Sequence, residues 1–203
     1  MRSYFALLIL SLSSLSLTSC TTAKATDAMI VPDLTYQHVK PVYVDVVQVR
    51  IGSDYEPVTN LDTASQEFPI ALGKAVERFA MQRIQAGGEH GGQFIFDIQS
   101  LSVTQMNTPS DSSFYKWAGV AGKDHYEAVM QVQIYAIDQG GTHSPHSVLT
   151  FKRELSIPDH YSIARREMEQ FKFTERFVQD VDDAVSSVLQ EKFQDLILAH
   201  DMP

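Results

Sequence analysis

The sequence predicts an α+β domain: a two-layer sandwich in which two helices cover one face of a mainly antiparallel sheet of about four strands, in the order β-α-β-β-β-α. Three observations carry this expectation. Between Asp124 and Asp138, Tyr126, Ala128, Met130, Val132, Ile134 and Ala136 repeat with period two, against Glu127, Gln131 and Gln133 on the other side. That alternation marks an antiparallel strand with one wet face. Near the C-terminal end, Phe173, Phe177, Val181, Ala184, Val185, Val188, Leu189, Phe193 and Leu196 form a helical apolar stripe, with Glu175, Asp180, Asp182, Asp183 and Glu191 opposite. Apolar residues make up 44% of the chain and charged residues 20%, enough to build one core in 203 residues.

The remaining elements follow in chain order. Pro41 to Ile51 is rich in valine and reads as the first strand, bounded by Pro41 and Gly52. Gly52 to Ser65 carries turn residues (Gly52-Ser53-Asp54, Pro57, Asn60, Asp62) and reads as a loop. Pro69 suits a first helical turn. Leu72, Ala75, Val76, Phe79, Ala80 and Arg83 then fall at three-and-four spacing until Gly87-Gly88, predicting a helix over about 69–86. Gln93 to Met106 reads as the second strand, through Phe94, Phe96, Ile98, Leu101 and Val103. Asn107 to Gly122 is a long loop with an aromatic cluster, Phe114, Tyr115 and Trp117. Loops of this length are often functional. The cluster either folds back to cap the core or presents a tip to a partner or ligand. After the third strand, Gln139-Gly140-Gly141 opens a turn and Ser147 to Ile157 returns as a fourth strand. Pro158-Asp159 starts a second helical region, charge-rich over 163–171, with the main helix placed at about 174–198. Its stripe suits core packing better than a partner groove.

The N-terminal segment has the three-part layout of an export signal. Arg2 is a positive n-region, Tyr4 to Leu17 an apolar stretch diluted with serines, and Thr18-Ser19 are small residues before Cys20, the one cysteine of the chain. A membrane span needs about 20 apolar residues, more than this stretch supplies. The competing reading is a buried N-terminal helix with an incidental cysteine. Thr21 to Ala28 is small and polar, and reads as a flexible tether. The organisation expected is therefore a signal peptide over 1–19, a tether over 20–28 and one α+β domain over 29–203.

Charge and motifs exclude several classes. A formal charge of −9 lacks the basic footprint of a nucleic-acid binder, so no nucleic acid is expected as a partner. One cysteine allows no internal disulfide. His143-x-x-His146 is the closest histidine pair, but it has neither a cysteine nor an acidic residue at a ligand-like offset. Both histidines read as solvated turn residues, and no metal or other cofactor is expected. No Gly-x-Ser-x-Gly elbow occurs. Gly87-Gly88-Glu89-His90-Gly91-Gly92 follows a helix and precedes a strand, the reverse of a phosphate cradle. No catalytic residue is expected, and an enzyme, of hydrolase type, ranks third among the functional readings.

Leu17-Thr18-Ser19-Cys20 resembles the lipobox of a bacterial lipoprotein signal. The resemblance implies that Leu17, Thr18 and Ser19 are read by the signal peptidase. It also implies that Cys20 carries diacylglycerol on its sulfur and, in many bacteria, a third acyl chain on its amino group. Each buried CH₂ contributes ~0.8 kcal/mol, so two or three chains anchor firmly. Thr21 stands where an aspartate would resemble an inner-membrane retention signal, so an outer-membrane, periplasm-facing location is favoured over the inner membrane. The element order, the strand Tyr126-x-Ala128-x-Met130-x-Val132, the hairpin after it and the long last helix resemble the small envelope lipoproteins that assist lipid or lipopolysaccharide transport. Those include the auxiliary lipoproteins of ABC-type systems. The resemblance assigns no further residue. It implies a non-enzymatic accessory protein of envelope transport or assembly with a protein partner; the runner-up is a lipid or small-ligand binding module.

Overall fold

The computed structural model describes residues 34–36, 38–52, 68–89, 91–107 and 122–198, apart from the side chains of Asn107, His143 and Ser144. Among the described residues the fold is α+β, with two α-helices, a mixed sheet of four strands and a separate parallel pair. The segments expected to be leader and tether, His90, most of the loop after Gly52 and the aromatic segment 108–121 lie outside the described residues.

The run 41–51 divides into two strands rather than one. β1 (Val42–Val44) and β2 (Gln48–Gly52) belong to different sheets. The physical reason is a change of face. Val44 and Val46 are buried, Val47 is exposed, and the inward positions then become Val49 and Ile51. A strand cannot exchange its inward parity without a break. The break is the bend at 45–47, where Val46 N–H donates to Val44 O at 2.9 Å.

α1 (Leu72–Arg83) buries Leu72, Ala75, Val76, Phe79 and Ala80, the stripe expected from the spacing. It stops earlier than expected. Ile84 is extended (φ −116°, ψ 118°) and opens β3 (Ile84–Ala86), which pairs in parallel with β1 through Val42 and Ile84. The three residues read as the helix end supply β1 with its partner. On the other side of β1, the C-terminal segment adds antiparallel contacts. Asp45 N–H donates to Leu196 O at 2.7 Å and Leu198 N–H to Tyr43 O at 2.9 Å.

The main sheet has the order β2-β4-β5-β6. β4 (Gln93–Asn107) lies parallel to β2 and antiparallel to β5 (Lys123–Ile137), which pairs antiparallel with β6 (His143–Pro158). A register shift between Ile98 and Ser100 places Gln99 in a bulge. The bulge carries the inward set from Phe94, Phe96 and Ile98 to Leu101 and Val103, all buried. The β5–β6 turn runs from Asp138 to Thr142, closed by Gly141 N–H to Asp138 O at 3.1 Å and Thr142 N–H to Asp138 Oδ1 at 2.8 Å. Gly141 takes φ +79°, which favours glycine.

α2 (Ile163–Lys192) starts eleven residues ahead of the expected 174, capped by the Ser162 side chain, and ends ahead of the expected 198. Charge hides its N-terminal half in the sequence, yet Gln170 and Phe171 are buried there. A 3-10 turn follows at Gln194–Leu196, and Ile197 bridges to Val44. One apolar cluster joins the helices to the inner sheet face, including Phe94, Phe96, Tyr126, Met130, Ile134, Phe177 and Phe193.

Candidate interaction surfaces

The sequence singled out Leu17, Thr18, Ser19 and Cys20 as a lipidation site and Phe114, Tyr115 and Trp117 as a partner or ligand loop. All seven lie outside the described residues. What the structure does define is where the chain joins the domain and which surfaces stay uncovered by its other described elements.

The chain joins at the helix layer. Leu34 is buried and its carbonyl accepts from the Arg78 guanidinium at 3.3 Å. Tyr36 N–H donates to Gln82 Oε1 at 3.1 Å, and the Tyr36 ring meets Phe79 edge-on at 5.7 Å. Arg83 locks this entry to α2. Its Nε donates to Asp182 at 3.0 Å, one terminal nitrogen donates to Ser186 Oγ at 3.0 Å, and the other reaches the Lys40 carbonyl. A cleft of about 600 Å³ lies here, lined among others by Tyr36, His38, Phe79, Arg176 and Asp183. It sits on the helix layer, away from the sheet face opposite.

The other face of the four-stranded sheet presents alternate side chains in rows fixed by the register. One row is Arg50, Ile95, Tyr135, His146. The Gln133 amide nitrogen lies within hydrogen-bonding distance of His146 Nε2 across the β5–β6 ladder. His146 therefore belongs to the body of β6 and to this face, not to the turn. Farther along, Glu127 and Glu154 are direct cross-strand partners. Like charges in that position repel. Lys152 resolves this by sitting diagonally between them, 2.7 Å from Glu127 and 3.5 Å from Glu154. Its hydrogen bond to Glu127, followed by the coulombic attraction of that carboxylate, raises the Lys152 pKa above the ordinary lysine value. His125 extends the network, with Nε2 3.6 Å from Glu154 and Nδ1 2.9 Å from Ser156 Oγ. Val148 and Met106 are exposed apolar groups on the same face.

β6 forms the edge of the sheet: β5 lies on one side, and among the described residues no strand lies on the other. Its odd-numbered residues from Ser147 to Ile157 point toward the helices, with Phe151 and Ile157 buried, and its even-numbered residues point to the open face. Arg153 is an ionic residue on the helix side of this edge. It donates through two nitrogens to Asp180 of α2 at 2.7 and 2.8 Å, which raises its pKa. A second ion pair, Arg166 with Asp124, ties the start of α2 to the start of β5 and raises the arginine pKa by the same cause. Sequence reasoning missed both pairs, because their partners stand 27 and 42 positions apart. It missed the Glu127–Lys152–Glu154 network too, although the period-two pattern assigns all three to one face.

Among the described residues, no group of three or more His, Cys, Asp and Glu could hold a metal ion, and no helix is long and apolar enough to cross a membrane. The arrangement offers charge complementarity, hydrogen-bonding amides and an open strand edge, the ordinary means of protein recognition.

No protein-family model matches the chain, and the search of characterised proteins gives no match. Among solved structures, the chain is similar to a minor lipoprotein from Acinetobacter baumannii, with 10% identity, 73% of this chain and 92% of that one covered, and a TM-score of 0.38. It is also similar to the rare lipoprotein B from Shewanella oneidensis, with 15% identity, 70% and 98% coverage, and a TM-score of 0.31. A third is a neuraminyllactose-binding hemagglutinin homolog from Helicobacter pylori, with 7% identity, 79% and 90% coverage, and a TM-score of 0.41. At these scores the functional reading rests on the chain's own residues.

Proposed function

We propose that this protein is a membrane-anchored, periplasm-facing lipoprotein without enzymatic activity, which serves envelope transport or assembly through protein contacts. The observation that carries this reading is the apolar run closing on Leu17-Thr18-Ser19-Cys20, with the chain's one cysteine at its end. Acylation at Cys20 would hold the domain at a membrane, and the missing acidic residue at Thr21 favours the outer one. The contact half of the reading draws support from the two-sided architecture. The chain enters through Leu34 on the helix layer, while the charged sheet face and the β6 edge lie beyond it.

Two experiments test the two halves separately. Cys20→Ala should abolish incorporation of a fatty-acid probe and move the protein from the membrane to the soluble fraction. Continued labelling of that variant would refute the anchor. Mild crosslinking of whole cells followed by capture of the wild-type chain should recover other envelope proteins. Recovery of this chain alone would refute the accessory role.

A further inference from the structure

We infer that β6 is a self-pairing edge, on which a second copy of this chain docks antiparallel about a two-fold axis at Arg153, joining two four-stranded sheets into one of eight strands. The inference does not depend on the anchor. It begins from the length of the edge. β6 runs over 16 residues with β5 on one side only among the described residues. Such a strand presents an unsatisfied row of backbone N–H and C=O groups, which favours strand addition.

The side chains choose the partner and the register. Two-fold pairing of identical strands keeps helix-facing residues opposite helix-facing residues only when the axis passes through a residue position. An axis at Lys152 opposes lysine to lysine, and one at Glu154 opposes glutamate to glutamate. At Thr150 or Phe151, neither Lys152 nor Glu154 meets an opposite charge. An axis at Arg153 places Lys152 of each copy opposite Glu154 of the other, twice over. It also sets Phe151 opposite Leu155 and Leu149 opposite Ile157 on the helix side, and Thr150 opposite Ser156 on the open face. The apolar pairs continue the core cluster that already includes Phe151, Leu149, Leu155 and Ile157.

The axis brings Arg153 opposite its own copy. An inward-pointing charge usually guards an edge against pairing. Here each guanidinium is held by two hydrogen bonds to Asp180 of its own α2, so what meets at the axis is two neutralised pairs. Glu154 gains as well. Within one copy it is the direct partner of Glu127 and shares Lys152 with it at 3.5 Å. Across the seam it acquires a second lysine.

The test uses the full chain purified from its own cells in mild detergent, whichever fraction holds it, with mass measured by light scattering after the detergent is subtracted. The wild type should have the mass of two copies. Lys152→Glu alone and Glu154→Lys alone each turn two attractive cross-strand pairs into repulsive ones, which should weaken the dimer by about tenfold or more. Co-expressed with different tags, the two variants should pair with each other, because every opposed pair is then attractive again. A disulfide readout is independent of these charges. Thr150→Cys co-expressed with Ser156→Cys should crosslink on oxidation, whereas Thr150→Cys alone should not, since its two copies lie roughly 20 Å apart. A wild type with the mass of one copy at every concentration overturns the inference. So does a dimer indifferent to both reversals, or a Thr150→Cys chain that crosslinks to a different protein and not to the co-expressed Ser156→Cys chain.

Discussion

Replacing Phe177 by alanine removes the ring that seats α2 on the sheet. Phe177 is fully buried, with its centroid 6.3 Å from that of Phe151 on β6 and 6.3 Å from that of Phe173 one turn away. Deleting a buried phenylalanine side chain costs about 3–5 kcal/mol, from lost transfer free energy and the cavity left behind. Two aromatic contacts, each worth about 0.5–1.5 kcal/mol beyond area burial, place Phe177→Ala near 4 kcal/mol. In a domain of this size that lowers Tm by about 8–16 °C. Thermal unfolding followed by circular dichroism measures it, with Gln190→Ala, an exposed position on the same helix, as control. The control should stay within about 0.5 kcal/mol of wild type. A Phe177→Ala loss below about 1 kcal/mol would refute the seating of α2 through this residue and the packing argument built on it.

Four further outcomes follow from local physics. Arg166→Ala leaves Asp124 half-buried without its cation, which should cost about 1–3 kcal/mol in denaturant unfolding, and Asp124→Asn should recover part of it in the double variant. Gly92→Ala should destabilise by about 1–3 kcal/mol, since φ is +130° and a Cβ would lie 2.7 Å from Ile137 O. Gly141→Asn, at φ +79° in open space, should change stability by less than about 1 kcal/mol. Lys152 has a raised pKa in the folded chain, so its contribution is full below the ordinary lysine value and is lost as pH climbs through the folded value. Lys152→Gln should therefore flatten the alkaline fall of stability relative to wild type; superimposable alkaline limbs would contradict this.

The long elements were legible because their patterns are long. β4 and β5 match their expected spans to within a residue at each end, since inward apolar positions alternate without a break from Tyr126 to Ala136 in β5 and on each side of the bulge in β4. The short elements were decided by neighbours. Ile84-Gln85-Ala86 continues a helical stripe on paper, but β1 offers Ile84 a hydrogen-bonding partner that local propensity does not register. The break at 45–47 did leave a signal. Polar residues at Asp45 and Gln48 stand three apart, and inward valines change from even to odd positions across Val47. The step from Ile98 to Leu101 announces the bulge at Gln99 in the same way. The surface chemistry was half legible. Placing Glu127 and Lys152 on one face needs only alternation, whereas opposing Glu127 to Glu154 needs the β5–β6 register, which depends on the turn at 138–142.

The reading of this protein as a lipoprotein stands or falls with acylation of Cys20, and the intact mass of the protein extracted from its own membranes tests that acylation without an intermediary. The mass expected is that of a chain beginning at Cys20, heavier than residues 20–203 by a diacylglycerol group and, in many bacteria, a further acyl chain. A chain that retains residues 1–19, or one that begins elsewhere with Cys20 unmodified, would contradict it.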